Sequence, residues 1–235
     1  MIKLKNTDTV LFIGDSITHG GRMNVMDLNH VFGHGFQEMI CSRLGADNYT
    51  EMPKFVNKGI SGNTSAQILE RYERDCLDYK PTVVNLLCGV NDASCAMDPE
   101  ETLANIEKML QMTFAQNIDM KFFICEPFYL DVINQDAPYE NIPHLKSESD
   151  FKFGNCPRNT ELVDAIKGRV EEIQKKLPVL AEKYGAVYVP LQDVFDNASK
   201  STPGSYFIWD NVHPTMVGHR LMADRWFEVA EKALS

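Results

Sequence analysis

One stretch near the start of the chain reads Thr9-Val10-Leu11-Phe12-Ile13-Gly14-Asp15-Ser16-Ile17-Thr18-His19-Gly20-Gly21. Residues 9–13 are a short, uninterrupted apolar run rich in strand-forming side chains, which is typical of a strand buried in a parallel sheet. Gly14 provides the conformational freedom for a sharp turn after this strand. Because ligands of open α/β sheets bind just beyond the carboxyl ends of the strands, Ser16 lies where a nucleophile would meet a substrate.

The same stretch permits other interpretations. An Asp-Ser pair after a strand is a common helix N-cap or turn. The glycines suggest a phosphate-binding loop, but no Gly-Lys-Ser/Thr sequence follows and the G-x-G-x-x-G spacing is missing. Taken alone, Ser16 is therefore more typical of a turn than of a catalytic residue.

Strands and helices alternate along the rest of the chain. We predict further strands at 55–57, 82–88, 122–125 and 186–190, and helices at 36–44, 68–79, 99–114, 162–184, 193–198 and 215–233. Gly45 is expected to end the first of these helices, and Pro178 to kink or interrupt the long one. The alternation indicates an α/β fold with one mostly parallel five-stranded sheet covered on both faces, and we see no domain boundary within 1–235.

Periodicity is lost between residues 131 and 159, where proline, asparagine, glycine and aromatic residues are mixed. This pattern predicts a long loop insertion. Long segments without regular structure are uncommon in compact domains and are often functional, so a substrate lid is one interpretation. A plain surface insertion is an equally good one.

Composition narrows the class of protein and partner. The chain has 235 residues and a formal net charge of −10, which argues against binding to nucleic acid or to an anionic membrane. No apolar run approaches membrane-spanning length, and few residues precede the first strand, so we expect no membrane anchor and no secretory signal. The six cysteines form no C-x-x-C pair, and several lie in apolar segments. Buried, reduced thiols and a cytoplasmic location are the expected consequences.

Asp210 and His213 lie three residues apart, just before the predicted last helix. Pro214 suits the first position of that helix, which would place His213 at the helix entrance. A carboxylate that accepts from Nδ1–H of the histidine leaves Nε2 free to take a proton from a serine hydroxyl. Alone, the pair is more typical of a capping aspartate beside a surface histidine; together with Ser16 it favours a catalytic site.

Two further loops follow predicted strands and should open on the same edge of the sheet. Gly62 lies in a turn that enters a helix, where a free backbone N–H can face developing negative charge. Asn91 follows the strongest predicted strand and offers a side-chain amide. With the backbone N–H of Ser16, these groups provide three donors for one oxyanion, although Gly-Asn and Asn-Asp are also ordinary turn sequences.

Four blocks of the sequence, taken in order, resemble those of the SGNH hydrolases, also called GDSL esterases/lipases. The blocks are Gly14-Asp15-Ser16-Ile17, Asn57-x-Gly59-x-x-Gly62-x-Thr64, Gly89-x-Asn91-Asp92 and Asp210-x-x-His213-Pro214. The resemblance covers essentially the whole chain, and Ile17 stands where the family usually has leucine.

This resemblance implies a flavodoxin-like three-layer α/β/α sandwich and the hydrolysis of esters through an acyl-enzyme. It implies Ser16 as nucleophile, His213 as general base and then acid, and Asp210 as the carboxylate that orients it. Ser16, Gly62 and Asn91 would form the oxyanion hole, with no metal and no organic cofactor. By analogy, small to medium acyl esters are the expected small-molecule substrates, and O-acetylated carbohydrates the first candidates.

Other functions stay open at this point. A thioesterase or lysophospholipase could use the same residues, and a non-catalytic ligand-binding module or a flavin carrier could keep the same fold. A metal site built from Asp15, Asp210, His213 and His219 has no recognised ligand spacing to support it. The sequence carries no indication of an oligomeric state.

Overall fold

The structure is a computed structural model that describes residues 2–22, 27, 30–132 and 160–234. Within these residues the strands form one parallel sheet. Their bounds are β1 (Thr9–Gly14), β2 (Lys54–Gly59), β3 (Val83–Leu87), β4 (Lys121–Cys125) and β5 (Val187–Val189). The order β2-β1-β3-β4-β5 is that of flavodoxin-like sheets. After β1 the chain first forms β2 on one side of it, and then β3, β4 and β5 in turn on the other side. The predicted strands and sheet are confirmed.

Helices cover both faces of this sheet. Their bounds are α1 (Ser16–His19), α2 (Phe36–Asp47), α3 (Ser65–Glu70), α4 (Tyr72–Asp75), α5 (Val90–Ser94), α6 (Pro99–Gln116), α7 (Thr160–Tyr184), α8 (Gln192–Ala198) and α9 (Met216–Ala233). Short 3₁₀ turns lie at Leu77–Tyr79 and Gly204–Tyr206. Across the described ranges, no helix combines the length and the apolar composition that crossing a bilayer requires.

Strand β1, which lies between β2 and β3, explains the three layers, because all six of its residues are buried. Val10 and Phe12 point to one face and pack in a core with α2, α8 and α9. Leu11 and Ile13 point to the other face and pack in a core with α3, α4, α6 and α7. Alternate side chains of one strand thus enter two separate cores, which confirms the predicted α/β/α sandwich.

Two of the predicted helices differ from the observed ones in where they end or break. Helix α2 does not end at Gly45; it continues to Asp47, and the side chain of Asn48 caps it by donating to the carbonyl of Leu44 at 2.9 Å. The helix predicted over 68–79 is broken into α3, α4 and a 3₁₀ turn. The break lies at Arg71, whose backbone leaves the helical region (φ −102°, ψ 4°).

Of the two outcomes expected at Pro178, interruption of the long helix is wrong, and a kink stays a prediction. Helix α7 runs through this proline without a break. Ile173, Leu177 and Ala181 form a buried stripe on α7 that packs against the sheet. Burial of this stripe on both sides of the proline offsets the loss of one main-chain hydrogen bond.

Two other predictions concern cysteines and domain organisation. Cys41, Cys76, Cys88 and Cys125 are buried free thiols as predicted, whereas Cys95 is a free thiol that is exposed. The remaining Cys156 and nearly all of the loop predicted at 131–159 lie outside the described residues. A single domain over 1–235 stays a prediction.

A first prediction concerns Gly59, where β2 meets α1. A Cβ on Gly59 would lie 2.6 Å from the carbonyl carbon of Thr18 and closer still to the amide nitrogen of His19. Because both are backbone atoms, Gly59→Ala must push β2 away from α1, and we expect it to lower the free energy of unfolding by about 1–3 kcal/mol or more in urea titrations.

Gly168→Ala in α7 is the matched control. Apart from the backbone of its own helix, a Cβ on Gly168 would meet no atom of the described residues within 4 Å, so this change should raise stability by up to about 1 kcal/mol. Equal losses of unfolding free energy in the two variants would show that the close backbone approach at Gly59 does not cause the loss there.

Candidate active site

Ser16 is the first residue of α1 and follows the carboxyl end of β1 by two positions. The capping function proposed for the Asp-Ser pair belongs to Asp15, whose Oδ1 accepts from the backbone N–H of Ile17 at 3.0 Å. Ser16 is therefore not needed as a cap. Its side chain is half-buried and lies at the edge of the sheet where the sequence predicts it.

The structure brings Ser16, His213 and Asp210 into one chain of hydrogen bonds. Ser16 Oγ lies 2.7 Å from His213 Nε2. On the other side of the ring, His213 Nδ1 lies 2.6 Å from Asp210 Oδ2. The second oxygen of Asp210 accepts from the backbone N–H of His213 at 2.7 Å. One carboxylate thus fixes both the ring and the main chain of the histidine.

The loop that carries this pair is held by Asn211, which sequence analysis missed. Asn211 is buried and adopts a left-handed backbone (φ 76°), a conformation that asparagine tolerates better than most residues. Its Oδ1 accepts from the backbone N–H of Val132 at 2.8 Å, and its Nδ2 donates to the Tyr129 hydroxyl at 2.9 Å. Its neighbours Asp210 and His213 are therefore anchored to the segment that follows β4.

The prediction that Pro214 begins the last helix was wrong. Thr215 is the N-cap of α9, and its hydroxyl accepts from the backbone N–H of Gly218 at 3.3 Å. His213 consequently lies two residues before the cap, and Asp210 sets its orientation.

Gly62 and Asn91 lie in two loops that one hydrogen bond connects. Gly62 is exposed and left-handed (φ 81°) in the turn before α3, while Asn91 lies in α5, a short helix where we expected a loop. Asn91 Nδ2 donates to the backbone carbonyl of Asn63 at 3.1 Å. Since an amide nitrogen carries two N–H groups, one remains for a substrate oxygen.

No hydrogen bond joins Gly62 or Asn91 to Ser16 within the part of the chain that is described. In the predicted oxyanion hole these groups would all donate to one substrate oxygen. Because no direct bond among them shows this, the oxyanion hole stays a prediction.

Comparison with known proteins identifies the family. Residues 12–221 match the sequence profile of the GDSL-like lipase/acylhydrolase family. This chain belongs to that family. The resemblance seen in the four sequence blocks is confirmed, and the protein is a carboxylic ester hydrolase of the GDSL type.

Individual relatives of this GDSL hydrolase align with nearly the whole chain. Over 228 residues the chain is 26% identical to an acetylxylan esterase of Geobacillus stearothermophilus, covering 94% of this chain and 93% of the relative. A crystal structure of a GDSL-like protein from Parabacteroides merdae matches with a TM-score of 0.79 and 30% identity, covering 98% of both chains.

A catalytic mutant of the acetylxylan esterase Axe2, also from Geobacillus stearothermophilus, shares the fold. Its TM-score is 0.75 at 24% identity, covering 97% of this chain and 95% of that one. The catalytic mutants of Axe2 replace an aspartate, a histidine and a serine.

Neighbouring charges and burial shift the pKa of His213 in this GDSL hydrolase. The hydrogen bond that the His213 ring donates to Asp210 raises the pKa of His213 above its usual value, burial opposes this, and the charges of Asp210 and Asp15 add to the rise. Burial raises the pKa of Asp15 itself to about 7, against the hydrogen bond from Ile17 and the charge of His213. A histidine held in one orientation, with a pKa above its usual value, is a stronger base toward the serine hydroxyl.

The residues considered for a metal site make hydrogen bonds within the protein. His219 Nδ1 accepts from the backbone N–H of Phe36 at 3.2 Å, and burial, with the charge of His213, lowers the pKa of His219 to about 4. Asp15 caps α1. Over the described ranges, no group of three or more histidine, cysteine or acidic side chains is arranged to hold a metal ion.

Asp92 is a second polar residue whose role sequence analysis missed, although it stands in the third block. It is fully buried, and its carboxylate accepts from the backbone N–H of Ser65 at 3.0 Å and from Thr102 Oγ1 at 3.2 Å. These bonds tie α5, which carries Asn91, to the start of α3.

A second prediction follows from the charges around His213. Asp210→Asn removes the carboxylate that raises the pKa of His213, so we expect a lower pKa for this ring when it is titrated by NMR. Asp15→Asn should lower it less, because Asp15 acts on the ring by charge without a hydrogen bond to it. An unchanged or higher pKa in Asp210→Asn would contradict the role assigned to the carboxylate.

Proposed function

We propose that this GDSL hydrolase is a serine esterase in which Ser16 is the nucleophile, His213 the base and Asp210 the orienting carboxylate. The chain of hydrogen bonds from Ser16 Oγ through both ring nitrogens to Asp210 carries this proposal. A free serine hydroxyl is a weak nucleophile, and an adjacent base that removes its proton during attack makes it an effective one.

The reaction then proceeds in two halves. Ser16 Oγ attacks the ester carbonyl while His213 Nε2 takes its proton, and the oxyanion accepts from the N–H groups of Ser16, Gly62 and Asn91. The alcohol leaves with the proton of His213, so that the acyl group stays on Ser16. Water attacks this acyl-enzyme with His213 again as base, which releases the acid and restores the serine.

For the substrate we propose an O-acetyl ester of a carbohydrate. Two observations support this class: the acetylxylan esterase relative spans nearly the whole chain, and Trp209 lies beside the site. The Trp209 ring is partly exposed, with its centroid 6.0 Å from that of His213. A flat aromatic side chain there can pack against the apolar face of a sugar ring.

We also propose that the protein works in the cytoplasm without nucleic acid, membrane, metal or organic cofactor. The net charge of −10 disfavours polyanionic partners, and the free cysteines suit a reducing compartment. Ser16, His213 and Asp210 supply the nucleophile, base and orienting charge, so the proposed steps need no further group. Fractionation of cells that express the native protein tests the location.

A third prediction tests the nucleophile. Ser16→Ala should lower kcat for p-nitrophenyl acetate by about 10⁴-fold or more and abolish labelling by a fluorophosphonate probe, with an unchanged circular dichroism spectrum. Ser42→Ala, at an exposed serine on α2, is the matched control and should keep wild-type activity. Hydrolysis that survives Ser16→Ala would overturn the assignment, and wild-type protein without any turnover would support a non-catalytic binding module.

The substrate proposal gives a fourth prediction. Acetylated xylo-oligosaccharides should be better substrates than p-nitrophenyl esters of longer acids. Trp209→Ala should lower kcat/KM about tenfold for the acetylated sugar, but much less for ethyl acetate, because only the sugar gains contact with the ring. Faster turnover of an acyl-coenzyme A or of lysophosphatidylcholine would instead favour the thioesterase or lysophospholipase alternative.

A further inference from the structure

Arg71 is a buried arginine for which the mechanism above has no role. It lies at the break between α3 and α4, and its side chain is only 7% exposed. Burying a guanidinium is costly unless its N–H groups are paired, so its hydrogen-bond partners show what it holds in place.

The guanidinium contacts three separate segments around the site. Its Nε donates to Asn63 Oδ1 at 2.8 Å. Its Nη1 donates to the backbone carbonyl of Lys58 at 2.8 Å, at the end of β2. Its Nη2 donates to the backbone carbonyl of Gly14 at 3.1 Å. One planar group therefore joins the ends of β1 and β2 to the turn that precedes α3.

These contacts adjoin all three predicted oxyanion donors. Gly14 lies two residues before Ser16, and Asn63 directly follows Gly62. The backbone carbonyl of Asn63 accepts the amide of Asn91 at 3.1 Å. Through Asn63, Arg71 is therefore connected to Gly62, the preceding residue, and to the side chain of Asn91.

We propose that Arg71 is a positioning residue for the oxyanion hole, because its guanidinium sets the distance between the Ser16 turn and the Gly62 turn. The inference rests on the proposed function. The five N–H groups of a guanidinium lie in one rigid plane, so the groups that accept from them are held at fixed positions relative to one another. Displacement of a catalytic group by about 1 Å can lower the rate by about 10²-fold.

The surroundings allow Arg71 to be replaced without stranding a charge. Asp75 Oδ2 accepts from Arg71 Nη1 at 3.2 Å. The same carboxylate accepts from Arg74 at 3.0 and 3.1 Å, so it keeps a cationic partner when Arg71 is changed. Arg74 itself is largely exposed and makes no hydrogen bond to the catalytic loops among those described.

The test compares Arg71→Met with the matched control Arg74→Met, using p-nitrophenyl acetate. Arg71→Met should lower kcat by about 10-fold to 100-fold with KM changed less than about threefold, because the loss falls on the transition state. Arg74→Met removes an exposed ion pair of the same carboxylate and should keep kcat within about twofold.

A double-mutant cycle separates positioning from general stability. If Arg71 acts through the donors, its replacement should lower kcat clearly less in an Asn91→Ala background than in wild type, since one donor is already gone. Additive effects would mean that Arg71 only supports the fold, and would overturn the proposal.

Asn63→Ala provides an independent variant should Arg71→Met fail to fold. It removes the acceptor of Arg71 Nε and leaves the Asn63 carbonyl that orients Asn91, and it should lower kcat at least about fivefold with little change in KM. Wild-type kcat in Asn63→Ala would contradict the proposal. Ser16→Ala in the same series distinguishes failure of the proposed function from failure of this inference. Activity in Ser16→Ala would disprove the esterase mechanism. Loss of activity in Ser16→Ala together with a normal kcat in Arg71→Met would disprove only the positioning role.

Discussion

The hydrogen bond between Ser16 and His213 joins residues 197 positions apart, and the rest of the site is arranged around it. Such a contact requires a shared edge where distant segments meet. A parallel sheet provides one, because the carboxyl ends of its strands lie at the same side. Ser16, Gly62 and Asn91 follow β1, β2 and β3, which are neighbours in the sheet. His213 reaches Ser16 from the loop before α9.

The position of α9 therefore decides whether the histidine meets the serine. Trp226 on this helix is buried and donates from Nε1 to Asn85 Oδ1 at 2.7 Å, inside the core beneath the site. At the start of α9, Gly218 lies so close to the carbonyl of Phe207 that a Cβ would overlap it. A polar bond in the core and a close backbone approach thus hold the helix, and with it the loop of His213, in one place.

A layer of buried polar groups lies behind the reacting atoms. Asp92 satisfies its carboxylate with the start of α3, and Arg71 shares its N–H groups among three segments. Asp15 is less well satisfied, because its Oδ2 has no hydrogen-bond partner in the described structure, which accords with its raised pKa. Polar groups fixed by such bonds need little reorganisation when charge develops beside them, and this preorganisation is a large source of rate enhancement in enzymes.

The sequence indicated Ser16, Asp210 and His213 only through their combination and through the resemblance of the four blocks, because each taken alone is typical of a turn or a cap. Local patterns were enough to predict the strands and their parallel arrangement, since apolar runs are properties of short segments. They were misleading for the ends of helices at Gly45 and Pro214, and for the helix broken at Arg71. At Gly45 and Pro214 a nearby residue, Asn48 or Thr215, provides the cap, and at Arg71 the guanidinium is bound to backbone carbonyls of other segments; such contacts outweigh local propensity. The roles of Arg71, Asp92 and Asn211 depend on partners brought together only by folding, and no spacing along the chain encodes such contacts.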